Sequence, residues 1–165
     1  MKRLIILMML SLFLIGCGNN GEDVETTEII ETMETTEKKT LSEVYEEIAE
    51  TVELPAMITL NDEYISNYYG IDLESLDEYL FINAEEIIYA DTIILMKAKD
   101  ETSVPELEEL LETIITQKKL ELENYLPEQF KIVEKSKVES SATYVYLVIS
   151  DERDTILKII EKYIN

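Results

Sequence analysis

The only cysteine, Cys17, directly follows Gly16 at the end of an apolar run, and this is the one local arrangement in the chain whose residue types suit a defined covalent chemistry. A thiol is the most nucleophilic of the ordinary side chains, and a glycine before it leaves the intervening peptide bond uncrowded. Lys2 and Arg3 precede the run, Leu4 to Ile15 form it with only Ser11 interrupting, and Gly16 supplies the small residue at which a signal peptidase cuts. The run has twelve residues, whereas a membrane-spanning helix needs about 20. The segment therefore predicts a cleaved export leader over residues 1–16, with Cys17 the first residue of the mature chain.

Leu14-Ile15-Gly16-Cys17 resembles a bacterial lipobox. That resemblance implies that the Cys17 thiol is joined to a diacylglyceryl group and that the protein is anchored at the extracytoplasmic face of the cell membrane. Each buried methylene contributes about 0.8 kcal/mol, so two acyl chains hold where one is marginal. The plainer alternative is a secretory leader in which Cys17 falls by chance. With its single cysteine committed to lipid, the chain has none for a disulfide, a thiolate metal site or a catalytic thiol.

Other catalytic constellations are thinned by composition. The chain has no histidine, which removes the usual general base, the Ser-His triads and imidazole metal sites. Glycines occur only at 16, 18, 21 and 70, so no glycine-rich loop exists to cradle phosphates. Paired carboxylates could run a glycosidase, and Asp62-Glu63, Glu85-Glu86 and Asp151-Glu152 are the candidates. Among 36 acids, such neighbours are expected on any solvated face. No Asp-x-Asx-x-Asx-Gly calcium loop is present, and no cofactor is implied.

Charge narrows the partners. The precursor has 14 basic and 36 acidic residues, and loss of Lys2 and Arg3 with the leader leaves 12 against 36, a net of about −24. Such a field repels nucleic acid, whose binding needs clustered Lys and Arg. Cationic partners, metal ions and basic peptides remain favoured.

Two clusters are candidate contact surfaces. Tyr64, Tyr68 and Tyr69 fall on one expected helix, with Tyr64 and Tyr68 one turn apart, and exposed tyrosines are common at interfaces. Their ordinary role would be core packing. Lys131, Lys135 and Lys137 share strand parity and lie near Lys118 and Lys119 in sequence, a local basic spot whose ordinary explanation is protection of an edge strand.

These residues need elements to hold them. Residues 18–39 carry seven acids, two lysines and two Glu-Thr-Thr-Glu units at 25–28 and 34–37. With so little to bury, they read as a disordered acidic tether. As a coil, it would reach about 25 Å on average and roughly 75 Å pulled straight. The alternative takes Ile29, Ile30 and Met33 into a long helix entering the domain.

A single domain is expected over 40–165. Thr40 to Glu43 has capping-box spacing, and Leu41, Val44, Ile48 and Val52 give one apolar stripe ending before Pro55. A second short helix is expected from Asn61 to Tyr69, closed by Gly70. Tyr79 to Ile82 and Thr92 to Ala98 predict an antiparallel pair of strands. Residues 103–126 return to helical spacing through Leu107, Leu110, Leu111, Ile114, Leu122 and Tyr125, stopped by Pro127. Phe130 to Val138 and Thr143 to Ser150 predict a second strand pair, and Asp151 opens a last helix with Ile156, Ile160 and Tyr163. The expected fold is α+β: two short helices, then ββαββα, a four-stranded antiparallel sheet with helices on one face.

Asp91-Thr-Ile-Ile-Leu-Met-Lys-Ala-Lys-Asp100, Tyr125-Leu-Pro-Glu-Gln-Phe130 and Thr143-Tyr-Val-Tyr-Leu-Val-Ile-Ser-Asp151 together resemble the bacterial domain-of-unknown-function family 4358, over roughly residues 40–164. The resemblance implies a lipoprotein leader, a polar tail and one small domain, in Gram-positive bacteria of the clostridial kind. No activity is assigned to that family, so the resemblance carries none over to this chain. Where that family has a Gly-Asn-Tyr-like step before the last strand, this chain has Ser141-Ala-Thr-Tyr144. The sequence thus leads to the expectation of a membrane-tethered, non-catalytic lipoprotein that binds or scaffolds another envelope component. A ligand-binding or accessory subunit of a transporter or membrane complex is the alternative, and a carboxylate hydrolase the distant one.

Overall fold

The computed structural model describes residues 38–164. The expected leader, Cys17 and nearly all of the expected tether lie outside the described residues.

Helix α1 (Leu41–Thr51) begins where the capping box places it. Glu43 N donates to Thr40 Oγ1 at 3.2 Å and Thr40 N donates to Glu43 Oε2 at 2.7 Å, so two amides left over at the helix start are satisfied reciprocally. The stripe Leu41, Val44, Ile48 is buried. A three-residue strand, β1 (Met57–Thr59), follows Pro55, and then helix α2 (Asp62–Tyr69). Asn61 Oδ1 accepts from Tyr64 N at 2.8 Å to start α2, and Gly70 ends it at φ +71°, a backbone region that costs other residues about 1 kcal/mol or more.

Strands β2 (Leu76–Ala84) and β3 (Thr92–Ala98) pair antiparallel as expected, with Phe81 opposite Ile94. Helices α3 (Val104–Leu122) and α4 (Pro127–Lys135) come next, then β4 (Val138–Ser141), β5 (Tyr144–Ile149) and α5 (Arg153–Ile164). The described residues thus form one antiparallel sheet of order β1-β2-β3-β5-β4 together with five helices.

Three expectations are corrected. The sheet has five strands, because β1 pairs with β2 through Met57–Ala84, Ile58–Asn83 and Thr59–Ile82. Three residues between a proline and a helix cap are too few to display an alternation. Residues 130–135, expected in a strand, are the end of α4: Leu126, Phe130 and Val133 recur at helical spacing, Pro127 sits in the tolerated first turn, and strand structure starts only at Val138. Lys131 and Lys135 are therefore one turn apart on a helix, Lys131 is paired with Glu128 at 2.8 Å, and the expected edge-strand row of lysines does not form.

The third correction concerns the layers, since helices cover both faces of the sheet. Ile94, Met96, Val145, Leu147 and Ile149 point into a core shared with α2, α3 and α4. Ile93, Leu95, Tyr146 and Val148 point into a second core shared with α1 and α5. A central strand buried on both sides must be apolar at every position, as Ile93-Ile-Leu-Met96 is. The edge strands have only three and four residues, which limits the backbone left open for edge-to-edge pairing.

Candidate functional site

Helix α2 lies against β2 through buried Ile65 and Tyr69, one turn apart, and Tyr64 and Tyr68 stand beside them on its exposed side. The three tyrosine rings touch one another. Tyr64 stacks on Tyr68 with centroids 4.9 Å apart, and Tyr69 meets both edge-on at 5.7 and 5.3 Å. Only Tyr69 packs into the core, 9% exposed and 6.0 Å from Phe81, whereas Tyr64 and Tyr68 are 40% and 54% exposed. A stacked pair gains about 0.5–1.5 kcal/mol beyond its burial, so each ring holds the other in place.

Two depressions share Tyr64 and Tyr68 as walls. An outer groove of about 380 Å³ is lined by these rings with Asn61, Glu63 and Asn67. An inner cavity of about 80 Å³ lies between α2, β2 and α3, with Asn83, Gln117, Lys118 and Glu121 facing it beside the tyrosines. Asn83 Nδ2 donates to Tyr69 Oη at 3.2 Å, while Asn83 Oδ1 is buried with no hydrogen-bond partner. An unsatisfied buried acceptor costs about 1–3 kcal/mol. Lys118 is half-buried, and burial pushes its ammonium below the ordinary lysine value of 10.5, only partly opposed by Glu121 and Asp91. Burial likewise raises the hydroxyls of Tyr64 and Tyr69, with neighbouring tyrosines and Glu121 adding to the effect.

The expected carboxylate pairs are scattered. Asp62-Glu63 opens α2, where Asp62 accepts from Tyr79 Oη at 3.0 Å; Glu85-Glu86 sits in the exposed β2–β3 loop; Asp151-Glu152 lies in the turn before α5. Asp151 and Glu152 share a groove of about 340 Å³ with Glu53 and Asp91. Asp91 is buried and its carboxyl is raised by that burial, against a hydrogen bond from Ser150. Among the described residues, no group of acids is arranged to hold a metal ion. The loop beside this groove exposes Ile87, Ile88 and Tyr89.

Residues 50–150 match the family described as Domain of unknown function (DUF4358). The chain belongs to that family. No curated protein and no solved structure matches it. The DUF4358 match spans the whole sheet, α2, α3 and α4, and hence the tyrosines and Lys118, but it stops short of α5 and takes in only the last two residues of α1.

Within this DUF4358 domain, the tyrosine cluster was legible from sequence and its polar lining was not. Lys118 and Lys119 are adjacent in sequence, and Lys118 faces the cavity. A signal existed: Leu107, Leu111, Ile114, Lys118 and Leu122 follow one another at three or four residues, so a lysine occupies a position in the core stripe of α3. Charged residues are almost never placed there without a reason. Asn83 and Glu121 gave no comparable signal, because a strand and a long helix bring them together only through packing.

Proposed function

We propose that the protein is a lipoprotein tethered at the extracytoplasmic face of the membrane through Cys17, and that its domain is a non-catalytic binding module that docks another envelope component on the exposed face of α2. The stacked and exposed Tyr64–Tyr68 pair carries this reading. Aromatic side chains with only two rotatable bonds give large contact area at low entropy cost, and here neighbouring rings already fix them. The order Lys2-Arg3, apolar run, Gly16-Cys17 supports the anchor.

The anchor is tested by expressing the full chain in a Gram-positive host and separating detergent from aqueous phase. Wild type should enter the detergent phase and incorporate labelled fatty acid, while Cys17→Ser should do neither. Equal partition of the two would refute the anchor. The binding face is tested by placing a photo-crosslinker at position 67 in membranes: one defined adduct should form, and Tyr68→Ser should lose it. An adduct indifferent to Tyr68→Ser would refute the assignment of the face. A second reading, a ligand-binding accessory subunit, is favoured by the cavity behind the same tyrosines.

A further inference from the structure

The inner cavity contains two groups that the protein itself leaves incomplete. Lys118 Nζ makes no hydrogen bond or ion pair among the described residues, although its charge interacts with Glu121 and Asp91 at longer range. Asn83 Oδ1 is buried and has no donor. Tyr69 Oη accepts from Asn83, which leaves its own proton free to donate. The cavity therefore offers a cation and a hydroxyl donor for a negative group, and an amide oxygen and the Glu121 carboxylate for a positive one.

Charge decides what fits. A simple anion would gain Lys118 but meet Glu121, and a simple cation would gain Glu121 but meet Lys118. A dipolar molecule satisfies both, and ammonium groups are also attracted to the faces of tyrosine rings. Size narrows the class further. The cavity holds about 80 Å³, roughly half of the 150 Å³ engineered cavity that admits benzene. On that scale it takes about three heavy atoms, so the charged groups of a small molecule enter and the rest lies at its mouth, toward the outer groove past Tyr64 and Tyr68.

We infer that the cavity between α2, β2 and α3 binds the zwitterionic head group of a small free amino acid, carboxylate toward Lys118 and Tyr69, ammonium toward Asn83 and Glu121. This deepens the reading of the α2 face as a binding surface and rests on it only in sharing Tyr64 and Tyr68.

The test is a titration of the isotopically labelled full chain in detergent micelles with L-alanine, followed by nuclear magnetic resonance. Propionate and ethylammonium, each carrying half of the dipole, are the controls. Saturable shifts at the Asn83 side-chain amide and at the backbone amides of residues 83, 117, 118 and 121 are expected below about 10 mM alanine, with at least about tenfold weaker binding of either half-ligand. Lys118→Met and Asn83→Leu should each weaken alanine at least about tenfold, while Lys119→Met should leave it unchanged. The amide spectrum of each variant reports whether the fold is intact. Absence of saturation, propionate binding as tightly as alanine, or unaltered alanine binding by Lys118→Met would each overturn the inference. Its failure is separable from that of the docking face, because Tyr68→Ser is read by cross-linking in membranes without added amino acid.

Discussion

The hydroxyl of Tyr163 donates a 2.6 Å hydrogen bond to Glu47 Oε2, fastening α5 to α1 across 116 positions of sequence. Lys162 donates to the other oxygen at 3.3 Å, and Lys39 pairs with the same carboxylate. Lys39 and Lys162 also sit over the Tyr163 ring, 4.5 and 4.8 Å from its centroid. This polar knot closes the outer rim of the core that α1 and α5 share.

The knot makes stability depend on acid. Hydrogen bonds from Lys39, then Tyr163 and Lys162, hold the Glu47 carboxyl at about 2, below its ordinary 4.5. A carboxyl depressed in the folded state contributes stability that is present above 4.5 and is lost as pH falls toward 2. Glu47 is 26% exposed, so solvent screens part of the effect. Glu47→Gln should lower the melting temperature at pH 7 by about 4 °C and by far less at pH 2. Thermal melts of both proteins across that range check it, and an unchanged gap would show that the carboxylate charge contributes nothing.

Lys118 should behave in the opposite sense. Burial depresses its ammonium, so the charged form costs stability below its folded pKa, and that cost is relieved as pH rises toward 10.5. Lys118→Met should therefore stabilise the protein by about 1 kcal/mol at pH 7 in urea unfolding, with the advantage shrinking in the alkaline range. A residue that weakens the fold yet sits in a core stripe is what a binding site predicts. If Lys118→Met destabilises at neutral pH, its ammonium has a stabilising structural role.

The turn between β4 and β5 places Ala142 at φ +50°, the left-handed region. Ala142→Gly should stabilise by about 1 kcal/mol, since relief of the side-chain clash exceeds the added chain entropy. Ala142→Val should lose at least as much. Equilibrium urea unfolding of the three proteins gives the order directly.

The DUF4358 match leaves out α5 and nearly all of α1, yet these helices bury Ile93, Leu95, Tyr146 and Val148. Ile48 and Ile160 are fully buried there. Ile160→Ala should cost about 3 kcal/mol. A chain cut to residues 50–150 should bind a hydrophobic dye and aggregate, because one sheet face is stripped. A cooperative, monomeric 50–150 fragment would show that the second core is dispensable.

Much of this architecture could be read locally. The capping box of α1, the cap pair Asn61 and Gly70 around α2, the β2–β3 pair and the long α3 stripe each lie within about twenty residues of sequence, where period and capping chemistry decide the outcome. β1 is too short to show a period, and Phe130, Ile132 and Val133 satisfy both a strand and a helix pattern until packing chooses.

Residue type and short-range spacing alone reveal the apolar run ending in Gly16-Cys17, the acidic charge, the lack of any imidazole and the three tyrosines on one short helix, because each is legible within a turn or two of chain. Packing in three dimensions sets the rest: helices cover both sheet faces, Tyr64 and Tyr68 stay exposed while Tyr69 is buried, and Asn83, Lys118 and Glu121 meet behind them. Those relations depend on how an antiparallel sheet divides its side chains between two cores, and on contacts between residues tens of positions apart. Local period carries no information about either.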